Sequence, residues 1–471
     1  MNSASGSMYF LISQGQATLS TWTCSRVTHL AKSTPVGAAQ SASKNCYSIG
    51  LSNRYLEPPR RSWFALTYLS QVGKDARLVL ATRSLRALSY GFLGVIMAIY
   101  LALLGLQPFQ VGAVITGSLV ANAVLATAGG LAAARWGRRR VLMAFASLSA
   151  ISGAMLSLSQ EPSVVVVAML IGSKTTGTDA GPFRAVEQVV MPRLVKDTER
   201  TQLFGVYYVF GYVFAALGAA LANLPAYLQS SAGLQPAASL RPLFYLYTAA
   251  SLVNLLLYSL LSPAAEADGE GGGRLIPKKS LGIVAKLSAL YGVDALGGGL
   301  IVPGFLSYWL FLRFGVDTSS LGGFFFASYF VTATSLYVAV RLARKFGHVN
   351  TMVFTHLPSN VILMALAFAP SFYSAAALYL ARSFLSEMDV PTRESYTMAI
   401  IPEDERASSS GFLTTTRSLY QAGGPALGGY LLQFLPFVNP IFLAGAIKAS
   451  YDVSLYSLFR RVKTPEERRS A

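Results

Sequence analysis

Acidic residues are scarce in this chain: 21 Asp and Glu stand against 38 Lys and Arg, and charged residues make up only 13% of its 471 positions. Soluble globular chains carry about 25%, so the composition argues against a surface that faces water all round. Cysteine and histidine are rarer still, at two and three copies. That excludes a disulfide framework and leaves too few ligands for a multi-ligand metal site. Catalytic signatures are also missing. No HExxH or GxSxG occurs, and His29, His348 and His356 are too scattered for a zinc site or a triad. GSKT at Gly172 lacks the Gly-x4-Gly-Lys-Ser/Thr spacing of a phosphate-binding loop. The chain is therefore expected to be neither an enzyme nor a cofactor protein, and any transport it performs is expected to run on gradients rather than on ATP.

What abounds is apolar. Hydrophobic residues reach 53%, with 27 Phe and 41 Gly, and mean hydropathy is +0.47. A membrane span needs about 20 mostly apolar residues. Twelve such runs follow one another, starting near Ala81, Gln110, Arg140, Ser163, Thr201, Pro242, Leu281, Ser319, Val349, Phe372, Ser408 and Val438. The longest break, PAAEADGEGGGRLIPKKS from Pro263 to Ser280, is rich in Gly and charge and reads as a linker. It divides the spans six and six. The expected architecture is an all-α integral membrane protein: a six-helix bundle over 81–262, a linker over 263–280, a second bundle over 281–462 and a short tail over 463–471.

The first 80 residues differ in kind. Up to Lys74 their only acid is Glu57, against Arg26, Lys32, Lys44, Arg54, Arg60, Arg61 and Lys74, with many serines between. The stretch resembles an organellar transit peptide. The preferred reading of the same residues is the plainer one, a disordered cytosolic tail or a start codon assigned too early.

The net charge of +17 is a matter of sidedness. Loops on one face hold Arg135, Arg138, Arg139, Arg140, Arg193, Lys196, Arg200, Arg274, Lys278, Lys279, Arg341, Arg344, Lys345 and Arg406, and the tail adds Arg460, Arg461, Lys463, Arg468 and Arg469. The opposite loops offer Arg241 and Arg313. Basic loops stay inside, so both termini are expected in the cytoplasm, and no nucleic-acid partner is needed to explain the charge.

The halves repeat one another. Gly94/Gly304, Gly105/Gly315, Gly112/Gly322, Gly137/Gly347 and Asp179/Asp389 each lie 210 apart. Pro182/Pro391 and Arg184/Arg393 lie 209 apart, and Arg200/Arg406 and Gly205/Gly411 lie 206 apart. NLLLYSLL from Asn254 echoes DVSLYSLF from Asp452. Duplicated units packed about an axis, with a site between them, are a general plan of secondary transporters.

The loop between spans 2 and 3 reads GLAAARWGRRR from Gly130 to Arg140. It resembles the signature of the major facilitator superfamily, which has Gly, three residues, Asp, a basic residue, one residue, Gly and two basic residues. Gly130, Arg135, Gly137, Arg138 and Arg139 fit, while Ala134 replaces the Asp. In the family this loop belongs to a cytoplasmic lock between the halves, so the resemblance implies gate roles for those five residues without the charge-pair element. VRLARKFGH from Val340 keeps only Arg344, Lys345 and Gly347 of the pattern. THLPSN from Thr355 and MDVPTRESYTMAIIPEDER from Met388 resemble a poorly characterised branch of the same superfamily. The similarity covers residues 81 to 462 and implies two six-helix halves with a cavity lined by spans 1, 4, 7 and 10. AGGPALGG from Ala422 is similar to an antiporter Gly-Pro motif that belongs in span 5, but it sits in span 11. Close helix approach explains its small residues.

Ionisable groups at membrane depth are costly and need a reason. Lys174 lies 11 residues into span 4, about 17 Å along a helix and near the middle of a ~30 Å core. Asp294 in span 7 and Arg382 in span 10 reach similar depths. Two readings stand. The three charges hold a ligand or a coupling ion, or they neutralise one another across the halves. The excess of Lys174 and Arg382 over Asp294 favours a small organic anion, with Asp294 the leading candidate for proton coupling and Asp179 and Asp389 behind it. Arg184, Glu187, Arg393, Glu387 and Glu394 lie nearer the cytoplasm and read as gate elements. Asp389 and Arg393 have the i, i+4 spacing of a same-face pair, and Pro391 between them is expected to kink the helix. Lys448 and Asp452 repeat that spacing and read as a structural pair in a peripheral helix. Tyr90, Tyr100, Tyr291, Tyr308 and Trp309 read as packing residues or as stacking surfaces for substrate.

The expected function is a gradient-driven transporter, monomeric in the bilayer, that alternates access to a small solute with a proton or another ion. A sensor or chaperone on the same fold is the other reading; a membrane enzyme would need a constellation the sequence lacks.

Overall fold

The computed structural model describes residues 72–172, 181–195, 200–266, 280–346, 348–402 and 405–460. Among the described residues there are helices, turns and no strand. The helices are α1 (Lys74–Leu103), α2 (Pro108–Trp136), α3 (Arg138–Leu158), α4 (Pro162–Gly172), α5 (Pro182–Val190), α6 (Arg200–Leu221), α7 (Asn223–Ala232) and α8 (Arg241–Ser259). After the linker come α9 (Leu281–Gly299), α10 (Pro303–Phe314), α11 (Thr318–Phe346), α12 (His348–Leu366), α13 (Phe372–Ser386), α14 (Asp389–Ile400), α15 (Arg406–Phe434) and α16 (Pro440–Phe459). Two consecutive segments fill each of four predicted spans: α4 with α5, α6 with α7, α9 with α10, and α13 with α14. Seven stretches among the described residues are long and apolar enough to cross a membrane by length and composition.

Proline and glycine punctuate these helices. Pro108, Pro182, Pro303 and Pro440 stand at the first helical turn, where an amide hydrogen would have no helical partner. Gly105 and Gly315, a pair from the repeat, follow α1 and α10 with φ of 89° and 63°, a left-handed turn that glycine adopts without strain.

Two boundaries differ from the sequence reading. The first helix opens at Lys74 rather than near Ala81, and Arg83 and Arg86 within it are buried. At Pro391 there is no kink within a helix. The chain breaks earlier, between α13 and α14, and Pro391 becomes the third residue of a new helix, where its missing N–H costs no intrahelical bond.

Within the first half α1 packs along α6 and α3 along α8; within the second α9 packs along α15 and α12 along α16. The halves meet where α2 lies on α15, α6 on α11 and α10 on α1. Hydrogen bonds mark those seams. Thr116 Oγ1 donates to the Ala422 carbonyl at 2.6 Å and accepts from the Ala426 amide at 3.0 Å. Ser307 Oγ donates to the Val95 carbonyl at 2.6 Å, the Phe109 amide to Gln433 Oε1 at 3.0 Å, and Ser319 to Asn223. All of these lie toward the helix ends remote from the basic loops. Small residues make the approach there: a Cβ on Gly429 would strike the Pro108 carbonyl, and one on Gly112 would strike the Pro425 carbonyl, while Gly424 packs on Gly299 within the second half.

Candidate functional site

The second half is organised around one carboxylate. Asp294 on α9 is 2% exposed. Lys448 Nζ on α16 donates to its Oδ1 at 2.5 Å. Arg393 Nη1 on α14 and Arg417 Nη2 on α15 stand 3.6 and 3.7 Å from its Oδ2. His356 Nε2 on α12 is 3.8 Å from Oδ1. Lys448 reaches this depth because Gly297 faces it: a Cβ there would meet Lys448 Cγ at 2.6 Å. A second layer extends the network. Arg393 Nη1 donates to Asp389 Oδ2 at 2.6 Å. His356 Nδ1 is 2.8 Å from Asp452 Oδ1, and Asn360 Nδ2 donates to Asp452 Oδ2 at 2.8 Å. Charges removed from water persist only when paired and hydrogen-bonded, and five helices contribute to doing so here.

The first half carries a smaller counterpart. Glu187 on α5 accepts from Arg86 Nη2 on α1 at 2.7 Å, from Tyr207 on α6 at 2.8 Å and from Tyr258 on α8 at 2.7 Å. The Arg86 guanidinium also stacks 4.5 Å above the Phe183 ring. Beside this pair lies a cavity of about 10 Å³, lined in part by Arg86, Ser89, Ser149, Tyr247 and Asn254. That volume suits about one water molecule and no organic solute.

Between the halves stands a group of tyrosines and arginines. Arg382 on α13 lies 5.3 Å from the Tyr379 ring centroid, and its Nε is buried without a hydrogen-bond partner among the described residues. The buried Tyr329 hydroxyl on α11 is likewise unsatisfied. Tyr212 on α6 is within electrostatic range of Glu387, Arg184 and Arg83, and Tyr329 within range of Tyr379 and Tyr212. Arg184 Nη2 donates to Tyr208 at 2.9 Å. Polar atoms desolvated without partners are expensive, so this patch is suited to a ligand that brings acceptors.

At the basic face, Glu266 substitutes in part for the acid missing at Ala134. Its carboxylate accepts from the Arg138 and Arg139 amides at 2.7 and 2.8 Å, which places a negative charge on the first turn of α3. Gly137, with φ of 92°, makes the turn against it. Gly130 and Arg135 are exposed on the same stretch.

Several expectations are corrected. Asp294 is not neutralised by Arg382; its cations are Lys448, Arg393 and Arg417. Lys448 and Asp452 do not form a self-contained peripheral pair: one serves Asp294, the other His356 and Asn360. Arg184 meets Tyr208 and Glu187 meets Arg86. Lys174 and Asp179 lie outside the described residues. Tyr100, Tyr308 and Trp309 belong to the apolar core, and Tyr291 meets Thr397 Oγ1 at 3.0 Å. No cluster of metal-ligating side chains occurs among the described residues. Sequence reasoning missed His356, Arg417 and Arg86. A histidine inside THLPSN, within an apolar span, is itself an intramembrane ionisable group, but it had been weighed only as a zinc ligand or triad member.

Comparison with known proteins agrees with this architecture. The family profile of the Major Facilitator Superfamily matches residues 79–386. The uncharacterized membrane protein YJR124C of Saccharomyces cerevisiae is 23% identical over 421 residues, spanning 82% of this chain and 94% of that protein. The inward-open xylose transporter XylE from E. coli superposes with a TM-score of 0.64 at 15% identity, over 84% of this chain and 99% of that one. The human organic anion transporter MFSD10 superposes with a TM-score of 0.58 at 16% identity, over 85% and 100%.

Proposed function

The chain belongs to the major facilitator superfamily, and from that premise we propose that it carries a small organic anion between its two six-helix halves, driven by a coupled ion. Secondary transport across a bilayer, rather than enzymatic catalysis, follows from the family. The anionic substrate rests on one observation: Arg382 Nε and the Tyr329 hydroxyl are buried and unsatisfied in a region that Arg184 and Arg83 also reach. A carboxylate or phosphate would satisfy both groups, in the charge-assisted geometry that arginine favours. Lys174 is proposed to add a cation from span 4. The resemblance to an organic anion transporter fits this choice, and the xylose transporter shows that the same fold serves neutral solutes.

Asp294 supports coupling, with Asp389 and Asp179 as further acids. Gly130, Arg135, Gly137, Arg138, Arg139, Arg184, Glu187 and Arg393 are assigned to gating. With the seams tight at the ends remote from the basic loops, the pose is that of a carrier facing the basic side, which positive-inside logic makes the cytoplasm along with both termini. The enclosing membrane is the plasma membrane, or an organelle membrane if the first 80 residues act as a targeting segment. One observation favours a non-transporting sensor: Asp294 is so fully paired that its network resembles a lock.

The test is thermal stability of the detergent-purified protein against a panel of metabolites and drugs, for wild type and for Arg382→Ala and Lys174→Ala. An anion that stabilises wild type alone supports the reading, and uptake of that anion into proteoliposomes separates carrier from sensor. Transport of neutral solutes but no anions, unchanged in the double variant, would overturn it.

A further inference from the structure

We propose that the imidazole of His356 takes the coupling proton, and that its occupation frees Arg417 as a further cation, in addition to Arg382, for the anionic group of the substrate. This rests on the reading of the protein as an anion carrier.

His356 is 3% exposed and is held between two carboxylates on different helices. Asn360 Nδ2 donates to Asp452 Oδ2 at 2.8 Å, and His356 Nδ1 lies 2.8 Å from Asp452 Oδ1. With the Asn360 amide, itself 3.1 Å from Nδ1, donating to Asp452 instead, the hydrogen assignment has Asp452 ionised and Nδ1–H donating to it, an arrangement that fixes both tautomer and ring orientation. Nε2 is then the basic nitrogen, and it faces Asp294 Oδ1 at 3.8 Å.

The charges around the ring come from every helix that packs on this network: Asp294 from α9, Lys448 and Asp452 from α16, Arg393 and Asp389 from α14, and Arg417 from α15. Tyr451 of α16 meets the ring edge-on at 6.0 Å. Arg382 of α13 and Glu387 lie farther out, in electrostatic contact with each other. In direct contact, Lys448, Arg393 and Arg417 balance Asp294, Asp389 and Asp452, so the network is neutral while the imidazole is neutral.

Proton uptake forms an N–H bond at Nε2 and breaks an O–H bond of hydronium. The imidazolium then supplies Asp294 with a fourth cation, and one cation becomes surplus. Lys448 is held at 2.5 Å, and Arg393 is shared with Asp389 at 2.6 Å. Arg417 is the loosest of the three, at 3.7 Å, and 37% of its side chain is exposed. It is the cation able to turn toward solvent and bind a carboxylate or phosphate. One monovalent anion restores neutrality, and a buried network moves between states at least cost when it is neutral. Empty and doubly loaded carriers therefore reorient, whereas half-loaded ones stay. One proton accompanies each monovalent anion.

Two measurements on the full chain test this without knowledge of the substrate. The first is 15N-histidine NMR, tractable because the chain has three histidines; His29→Gln and His348→Gln assign the His356 signal by subtraction. The second is the distance between spin labels at Gln107→Cys and Phe437→Cys, exposed ends of the α2–α15 seam, with Cys24 and Cys46 replaced by serine. The expected result is a pH-dependent change of the His356 Nε2 signal. The ratio of the two label-distance populations should change about threefold or more with the same midpoint, and His356→Gln should abolish that change. Should the glutamine variant not fold, Asp452→Asn takes its place and must move both midpoints together. A His356 signal that does not move with pH, midpoints that differ, or a pH response that survives His356→Gln each overturns the assignment. None of these outcomes depends on whether the substrate is an anion, which the ligand panel decides separately.

Discussion

Lys448 of α16 donates to Asp294 of α9 at 2.5 Å, tying a helix read from sequence as peripheral to the most heavily paired carboxylate in the described residues. The contact crosses 154 residues of chain. It makes the last helix part of the polar network rather than a lipid-facing support.

Removing one member of this network is expected to hurt more than removing two. Asp294→Asn leaves Lys448, Arg393 and Arg417 with a surplus of buried charge, at a cost of about 3–5 kcal/mol. The double variant Asp294→Asn, Lys448→Met should recover a good part of that loss. Thermal unfolding of the four proteins in a double-mutant cycle reads the coupling; additive effects would mean the pair is not formed.

Arg382→Ala should abolish stabilisation by anionic ligands while costing the unliganded protein only the Tyr379 and Glu387 contacts of Arg382, since its Nε makes no hydrogen bond to the protein. Arg382→Lys should recover part of the binding only, since a single ammonium cannot replace a planar fork. Ligand-induced shifts in melting temperature measure both.

Gly429→Leu is expected to prise apart the seam between α2 and α15. A Cβ at that position already collides with the Pro108 carbonyl, and a larger side chain cannot be accommodated while the helices stay in contact. Labels at Gln107 and Phe437 should move apart, and Cys substituted at Thr116 should become reactive to maleimide. An unchanged distance would show that the remote seam is not a moving contact.

Glu266→Gln keeps the shape of the cap on α3 but removes its charge. The loss should be about 1 kcal/mol, in line with carboxylates at helix N-termini. Glu266→Ala should cost more, because the Arg138 and Arg139 amides then lose their acceptor. Comparing the two variants in low and high salt separates the charge from the hydrogen bonds, since only the charge is screened.

Local chemistry decided what could be read in advance. Apolar runs of membrane length, proline at helix starts, glycine at helix ends and the offset between repeated residues act within a few turns of the chain, so they were legible as sequence. Family membership followed from the same regularities, together with the Gly130–Arg140 loop. Asp389 and Arg393 belong to this class as well, because an i, i+4 spacing dictates that they meet if a helix forms.

Partners across helices were another matter. The sequence showed Asp294, Arg382, Lys448 and Asp452 as buried charges, but their pairing depends on which helix faces which, and at what rotation. Four residues on a helix are offset by only about 40° but by about 6 Å along its axis, so Lys448 and Asp452 share a face at different levels, and Lys448 reaches Asp294 while Asp452 reaches His356. The sequence by itself determined the all-α membrane fold and the presence of ionisable groups within its apolar helices. Only the tertiary structure decided that these groups form one network around Asp294, because long-range Coulombic pairing is settled by packing and not by spacing along the chain.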